Sequence, residues 1–338
     1  YLNIIMLDLY GNFSEVTATA GWGLRYYHTT TVFDEKLWVF GGIVSAASND
    51  VWSSATNGST WDQVSPSAPW GARFDHATTV FDNKIYLFGG AAGGGSYFND
   101  VWSTTDGASW NQVVSSSAWD ARSSLTTAVY DNKLWVMGGY AGGMLKDVWS
   151  SSDGASWSLV TANAEWDVRS GQTTVVYDSK LWVMGGTDGS RLNDIWSSND
   201  GATWNLVTSN AAWGVRGDHA TTVFDGKLWV LGGDDGTSKL NDVWSSSDGV
   251  IWDLVTATAD WSIRSGHTTA ILNDELLVLG GMNGVHISDV WSMGIIPTQS
   301  TGSETQHTTS TVMEKSIGSL WVVGHVAFCG IAMIKYLK

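Results

Sequence analysis

Short apolar segments recur along residues 13–292, separated by polar turns rich in glycine, aspartate and serine. One unit begins at Arg73 with a β-branched and aromatic run that ends at Phe81, and the turn Asp82-Asn83 follows. Such runs favour strands, and an Asp-Asn pair tolerates the positive φ of a two-residue hairpin. No segment of the units shows the 3.6-residue period of an amphipathic helix. The pattern therefore predicts an all-β fold built from short antiparallel strands.

Each unit contains four such segments. The second, as in residues 36–42, is apolar at both alternating sets of positions, so we expect it to be buried on both faces. It ends in Gly-Gly, a pair that permits unusual φ angles or a close approach of backbones. The third segment has the form of residues 193–196, and the fourth opens at a residue such as Trp157. We therefore expect four strands in every unit, with a variable loop between the second and the third.

Six of the seven arginines mark the repeat, and each stands three residues after a tryptophan. They are Arg25, Arg73, Arg122, Arg169, Arg216 and Arg264, and they follow Trp22, Trp70, Trp119, Trp166, Trp213 and Trp261. Consecutive arginines are 47–49 residues apart, and a four-stranded unit of this period is typical of a propeller blade. The sixth unit ends after its third segment, whereas residues 13–16 form an orphan strand ahead of the first. We therefore predict a six-bladed β-propeller whose N-terminal strand completes the last blade and closes the ring.

The order Arg-x-x-His, Leu-Trp-Val-Phe-Gly-Gly, Asn-Asp-Val-Trp and Gly-x-x-Trp resembles the kelch repeat over about residues 13–292. The resemblance implies a six-bladed propeller of the kelch type. It implies less about activity, because such propellers include partner-binding modules, glycan-related enzymes and scaffolds. The Ser-rich Asp-Gly turns before the fourth segment loosely resemble Asp-box hairpins. Their spacing is one residue short, so we carry no sialidase activity over from them.

Composition and charge narrow the range of partners. The 338 residues include 33 Asp and Glu against 17 Lys and Arg, a formal net charge of −16, which argues against nucleic acid and against an anionic lipid surface. The single cysteine, Cys329, lies outside the repeats, so we expect neither an intrachain disulfide nor a cysteine-based metal site there. We divide the chain into an N-terminal tail (1–12), the propeller (13–296), a Ser/Thr-rich linker (297–316) and an apolar segment (317–338).

Two repeated polar positions could carry chemistry. The arginines begin the first strand of each unit, so they should circle one mouth of the channel, where free guanidinium groups would grip a carboxylate or a polyanion. The alternative pairs each with the aspartate of Asn-Asp-Val-Trp, and we favour this mainly structural role because a buried guanidinium needs a partner. His28, His76, His219 and His267 stand three residues after an arginine. They repeat with the scaffold, and we predict no metal site and no cofactor.

Positions that differ between units are better candidates for binding, because loops that vary on a fixed scaffold commonly hold binding residues. The residues after each arginine and after each Gly-Gly should share one face. Aromatic residues gather there in the first three units and acids in the fourth and fifth, although unselected loop drift is the alternative. The candidate face comprises Tyr26, Tyr27, His28, Phe74, Asp75, His76, Tyr97, Tyr140, Arg191, Asp218, His219, Asp235 and His267.

No Gly-x-Ser-x-Gly, His-Glu-x-x-His or phosphate-loop motif occurs in the sequence, which therefore does not point to an enzyme. We expect a non-enzymatic propeller that recognises an unidentified protein or glycan on the arginine-bearing face. The alternatives are a kelch-type enzyme acting on an acidic sugar and a purely structural repeat protein.

The residues after the propeller bear on its location. Residues 317–334 are mainly apolar, at the short end of a membrane span, and Lys335 and Lys338 suit a cytoplasmic flank. A single-span anchor would display the propeller outside the cell on the Ser/Thr-rich linker, and a buried tail is the alternative. Asn12 and Asn57 would then be candidate N-glycosylation sites. We expect an extracellular or cell-surface protein, with an intracellular location left open.

Overall fold

The computed structural model describes residues 10–295, and this range contains strands and turns but no helix. The strands form six four-stranded antiparallel sheets, one for each sequence unit, and one additional two-stranded hairpin. We call the sheets blades 1 to 6 in chain order. The predicted all-β, six-bladed propeller is confirmed.

The strands have the following bounds in chain order. The N-terminal strand is β1 (Ser14–Thr17). Blade 1 comprises β2 (Thr29–Phe33), β3 (Lys36–Ile43), β4 (Ala47–Ser54) and β5 (Asp62–Ser65). Blade 2 comprises β6 (Ala77–Phe81), β7 (Lys84–Phe88), β10 (Val101–Thr104) and β11 (Asn111–Val114). The separate hairpin of β8 (Ala91–Gly93) and β9 (Ser96–Tyr97) lies between β7 and β10 in the chain. Blade 3 comprises β12 (Thr126–Tyr130), β13 (Lys133–Met137), β14 (Val148–Ser151) and β15 (Ser158–Thr161). Blade 4 comprises β16 (Thr173–Tyr177), β17 (Lys180–Thr187), β18 (Arg191–Ser198) and β19 (Asn205–Thr208). Blade 5 comprises β20 (Ala220–Phe224), β21 (Lys227–Asp234), β22 (Lys239–Ser246) and β23 (Asp253–Thr256). Blade 6 comprises β24 (Thr268–Leu272), β25 (Glu275–Met282), β26 (His286–Gly294) and β1.

The first strands of the six blades surround a central channel. Each contacts the first strand of the next blade, and β24 of blade 6 contacts β2 of blade 1, so the ring is closed. The N-terminal strand β1 pairs with β26, with Ser14 opposite Ser292, and completes blade 6 as predicted. Contacts begin before residue 13, because Tyr10 forms a β-bridge with Ile295. Closure therefore pairs the N-terminal segment with the end of the sixth blade.

Local sequence explains the turns that link the strands. The hairpin between the first two strands of a blade has two consecutive residues at positive φ, such as Asp82 at 47° and Asn83 at 54°. Short polar side chains tolerate that conformation. The Gly-Gly pair is needed for a close approach between blades, since a Cβ on Gly41 would lie only 2.8 Å from the carbonyl oxygen of Arg73 in the next blade.

The core lies between neighbouring blades. The second strand of blade 4, β17, is buried at every residue except its two ends, as predicted for a segment apolar on both faces. The tryptophan of each Trp-x-x-Arg is at most 2% exposed. Trp166 packs edge to face on Trp204 with 6.0 Å between ring centroids. Trp135 of blade 3 belongs to the same buried cluster as Trp166 and Trp204. Truncating a buried aromatic of this kind costs about 3–5 kcal/mol, so each blade depends on its neighbour.

Some sequence predictions fall outside the described residues, namely the linker 297–316 and the apolar segment 317–338. Within residues 10–295, no helix has the length and apolar character needed to cross a membrane. Asn12 is exposed, and the side-chain oxygen of Asn57 accepts a 2.7 Å hydrogen bond from Asn273. Both candidate glycosylation asparagines therefore lie at the surface of the propeller.

Candidate functional site

The repeat arginines are paired within the scaffold. In blade 4, Arg169 donates from Nη1 and Nη2 to the two carboxylate oxygens of Asp194, both at 2.8 Å, and from Nη1 to the carbonyl of Gly185. Trp196 donates from Nε1 to the same carboxylate. Burial alone would raise the pKa of Asp194, but the hydrogen bonds and charge of Arg169 outweigh it and hold that pKa below its ordinary value.

The same pairing occurs in every blade. The other pairs are Arg25–Asp50, Arg73–Asp100, Arg122–Asp147, Arg216–Asp242 and Arg264–Asp289, at 2.6–2.8 Å. All six arginine side chains are at most 2% exposed. Their guanidinium groups are therefore engaged between strands rather than presented to an anion.

A ring of backbone hydrogen bonds surrounds the channel mouth on this face. The residue two positions after each arginine has a positive φ of 50–61°. These residues, the mouth ring, are Tyr27, Asp75, Ser124, Gly171, Asp218 and Gly266. At five of the six blade junctions the backbone N–H of one member donates to the carbonyl of the preceding member at 2.9–3.0 Å. The left-handed backbone is costly for a bulky residue such as Tyr27, and strain of this kind is concentrated at functional sites.

The mouth ring encloses a cavity of about 140 Å³ at the end of the channel. Asp75 and Asp218 enter it from blades 2 and 5, which are opposite one another in a six-bladed ring. The Tyr27 hydroxyl donates to Asp218 Oδ2 at 3.3 Å. Tyr27 lies over Gly266, where a Cβ would come within 3.0 Å of the ring. The glycine therefore gives Tyr27 the space to reach across blade 6.

Burial perturbs the acids of this cavity. Burial, with a smaller contribution from the charge of Asp218, raises the pKa of Asp75 to about 8. Burial also raises the pKa of Asp218, although the charge of Arg191 opposes the shift. The pKa of Tyr27 is raised by burial and by Asp218. Asp75 is consequently protonated at neutral pH, which relieves the repulsion between two carboxyl groups in one small space.

The four predicted histidines line the cavity wall but are only 3–5% exposed. His28, His76 and His219 each share a hydrogen bond with a threonine of the preceding blade, at 3.0–3.1 Å. Burial, aided by the nearest repeat arginine, lowers the pKa of His28 and His267 to about 3. These imidazoles are therefore neutral wedges between blades. Within residues 10–295 no cluster of three or more His, Cys, Asp or Glu side chains is placed to hold a metal ion.

The remaining members of the candidate face lie around the cavity rather than in it. Tyr26 contacts both Tyr27 and His286, with ring centroids 4.7 and 4.6 Å apart. Tyr97 and Tyr140 pack against each other, edge to face, at 5.9 Å.

Three more predicted face residues lie in the surrounding loops. Phe74 forms a backbone β-bridge with Ala91. The Asp235 side chain accepts hydrogen bonds from backbone N–H groups of its own loop. Arg191 lies at the cavity edge, 3.1 Å from Asp234 and 4.0 Å from Asp218. The face therefore has an acidic cavity at its centre and aromatic residues around that cavity.

Part of the cavity lining lies outside the face predicted from the sequence. Ser124, Gly171, Gln172 and Gly266 line it together with the predicted residues. They stand two or three residues after a repeat arginine, the same offsets as Asp75 and the histidines. Applying those offsets to all six units would have found them. Because their side chains are small or uncharged, nothing in their own chemistry marks these residues as binding candidates.

Deeper in the channel, the first strands present threonine hydroxyls to one another. Thr30 and Thr268 share a 2.6 Å hydrogen bond, and Thr126 and Thr174 share one of 2.7 Å. A cavity of about 240 Å³ lies among these threonines. The hydroxyl pairs link adjacent blades and give the channel a polar lining.

Six four-stranded blades around a closed channel, each held by an arginine–aspartate pair, define this protein as a six-bladed β-propeller. The chain belongs to the kelch-repeat family, because it matches the model of the KLHDC2/KLHL20/DRC7 Kelch-repeats domain over residues 14–163 and 151–328. No curated protein matches the chain. The resemblance to kelch repeats is therefore confirmed, and membership of this family supports the role of a protein-interaction scaffold.

Proposed function

We propose that this propeller is a non-enzymatic binding module that recognises a protein or glycan partner on the face bearing the channel mouth. The observation behind the proposal is the mouth ring. Its six positions have the same backbone conformation, yet they hold one tyrosine, two aspartates, one serine and two glycines. A backbone conformation that repeats in every blade, with different side chains at the equivalent positions, makes an uneven surface on a repetitive scaffold. Recognition loops have the same property.

The geometry gives less support to an enzyme acting on an acidic sugar. Such a reaction was expected to use the arginine ring, but all six arginines are buried against aspartates. The mouth cavity of about 140 Å³ is also well below the roughly 300–1,000 Å³ of ordinary small-molecule sites. A broad face with a small central recess fits a macromolecular partner better.

We further propose that the propeller is displayed outside the cell or at its surface. The Ser/Thr-rich residues 297–316 and the apolar residues 317–334 support this proposal, as a stalk and an anchor. The net charge of −16 is compatible with a soluble, self-repelling head. A membrane-partition experiment on the full chain tests it, since recovery in the soluble fraction would contradict the anchor.

The binding face is tested with the full chain in a pull-down and on a glycan array. Tyr27→Ala and Phe74→Ala remove aromatic surface from the proposed face. Ile251→Ala is the matched control, because Ile251 is 69% exposed in a turn at the opposite end of blade 5. We expect the first two variants to lose captured partners and the control to retain them. Unchanged capture by both face variants, with unfolding midpoints showing folded protein, would contradict the proposal.

A further inference from the structure

Two carboxyl groups face the mouth cavity: Asp75 accepts a hydrogen bond from the Ser124 side chain, and Asp218 accepts one from the Tyr27 hydroxyl. Asp75 and Asp218 lie on opposite blades. The side-chain oxygen of Gln172, a residue only 4% exposed in the cavity lining, has no hydrogen-bond partner in the described structure. That oxygen is closed off from the cavity, and the Nδ1 atoms of the histidines at the equivalent positions also lack partners within residues 10–295, so it belongs to the packing between blades.

The contacts of Asp218 leave room for a stronger partner. Its nearest donors are the Tyr27 hydroxyl at 3.3 Å and Arg191 at 4.0 Å. Charge-assisted hydrogen bonds are typically about 2.7–2.9 Å long, and the repeat arginines hold their aspartates at 2.6–2.8 Å. Asp218 is therefore an incompletely satisfied carboxyl group, whereas Asp194 of the scaffold is fully engaged.

An apolar rim adjoins the mouth on blades 6 and 1. It consists of Val44 and Val285, which are 37% and 68% exposed. The two blades are joined here, because His286 forms a 2.8 Å hydrogen bond with the carbonyl of Val44. Tyr26 bridges the rim and the cavity by contacting both His286 and Tyr27. An apolar surface beside an acidic recess favours a ligand with both characters.

Building on the function proposed above, we propose that the mouth cavity receives the cationic tip of one lysine or arginine of a protein partner, while an apolar neighbour in the same peptide packs on the apolar rim. The opposed carboxyl groups of Asp75 and Asp218 would accept its N–H groups. The cavity of about 140 Å³ suits one side-chain tip rather than a sugar ring. The net charge of −16 would favour the approach of a basic segment.

The ionisation of the Asp75 carboxyl group would also change when a cation binds in the cavity. The groups facing Asp75 are Asp218, Tyr27 and the hydroxyl of Ser124, which donates a hydrogen bond to it. Asp75 has a pKa of about 8 in the free protein, and a cation beside it would lower that pKa. Binding should therefore release a proton and strengthen as the pH rises from 7 to 9.

The test selects ligands from random heptapeptides displayed on phage, using the immobilised full chain, and then measures synthetic peptides by fluorescence anisotropy. We expect selected peptides to contain lysine or arginine beside an apolar residue. Replacing that basic residue by norleucine should weaken binding at least tenfold. Asp218→Asn and Asp75→Asn should do the same, and asparagine tolerates the positive φ of both positions. Asp253→Asn, an equal change of charge on the exposed outer strand of blade 5, is the control and should bind normally.

The outcomes separate this inference from the broader proposal. Acidic or uncharged peptides that need Tyr27 and Phe74 would overturn the cationic ligand but leave the binding face intact. Peptides that bind every face variant as they bind the unaltered protein would overturn both. Basic peptides weakened equally by Asp253→Asn would reveal attraction to the acidic surface in general and overturn the assignment to the mouth. Selection of no peptide at all would likewise count against it.

Discussion

Replacing Arg169 by methionine should destabilise the propeller strongly. Arg169 is fully buried and holds both oxygens of Asp194 at 2.8 Å, and it also donates to the carbonyls of Gly185 and Asp167. Methionine keeps much of the apolar volume but leaves a carboxylate, itself only 16% exposed, without its cation. Removing one partner of a buried ion pair costs about 3–5 kcal/mol. We expect a loss of about 4 kcal/mol in the free energy of unfolding.

Urea unfolding followed by tryptophan fluorescence measures this loss, and Arg191→Met is the matched control. Arg191 is the one arginine outside the repeat, and its pair with Asp234 is 3.1 Å long with both side chains more than 20% exposed. An exposed pair contributes about 0–1 kcal/mol. Adding Asp194→Asn to Arg169→Met should restore part of the loss, because the unpaired carboxylate is then gone. A difference of less than about 1 kcal/mol between the unfolding free energies of the Arg169 and Arg191 variants would contradict a buried, stabilising ion pair. A double variant whose loss equals the sum of the two single losses would contradict it as well.

Three further variants probe the mouth and the ring closure. Because burial raises the pKa of Asp75 to about 8 in the folded protein, its carboxyl favours folding at low pH and opposes it as the pH rises. The stability gained by Asp75→Asn should therefore grow from pH 5 to pH 8 and then level off, which thermal melts at each pH would show. Gly266→Ala should lower the melting temperature more than Gly214→Ala, because both glycines have positive φ but only the first would contact a neighbouring ring; equal losses would contradict this. Phe13→Ala removes a buried ring from the closing segment and should lower the free energy of unfolding by about 3–5 kcal/mol, measured in urea. Leu254→Ala, on an exposed strand, should lower it by less than about 0.5 kcal/mol. Similar losses for the two variants would exclude a special role for closure.

The architecture could be predicted because it depends on patterns that recur within single units. Four strand-forming segments, a two-residue turn and a Gly-Gly pair appear six times, and each has one favourable local conformation. The partner of each arginine could also be anticipated. A buried guanidinium needs a carboxylate, and the Asn-Asp-Val-Trp segment of every unit supplies one 25–27 residues away.

The candidate site was harder to predict because its residues are not equivalent. The histidines stood out by their chemistry, yet burial between blades leaves them neutral. Ser124 and Gln172 did not stand out, yet they line the same cavity as Asp75. The burial of these side chains depends on how adjacent blades pack, so it cannot be read from the sequence of one unit.

The sequence by itself determined the blade, the number of blades and the way the ring closes, because strand pairing within a blade is encoded by local pattern and turn chemistry. Only the tertiary structure decided that Asp75 faces Asp218, which is 143 residues away in the chain, and that Tyr27 reaches this acid across Gly266. Closing six blades into a circle brings equivalent positions of distant units together at one mouth. The physical reason is that electrostatic interactions and burial depend on distance through space, and the ring sets those distances.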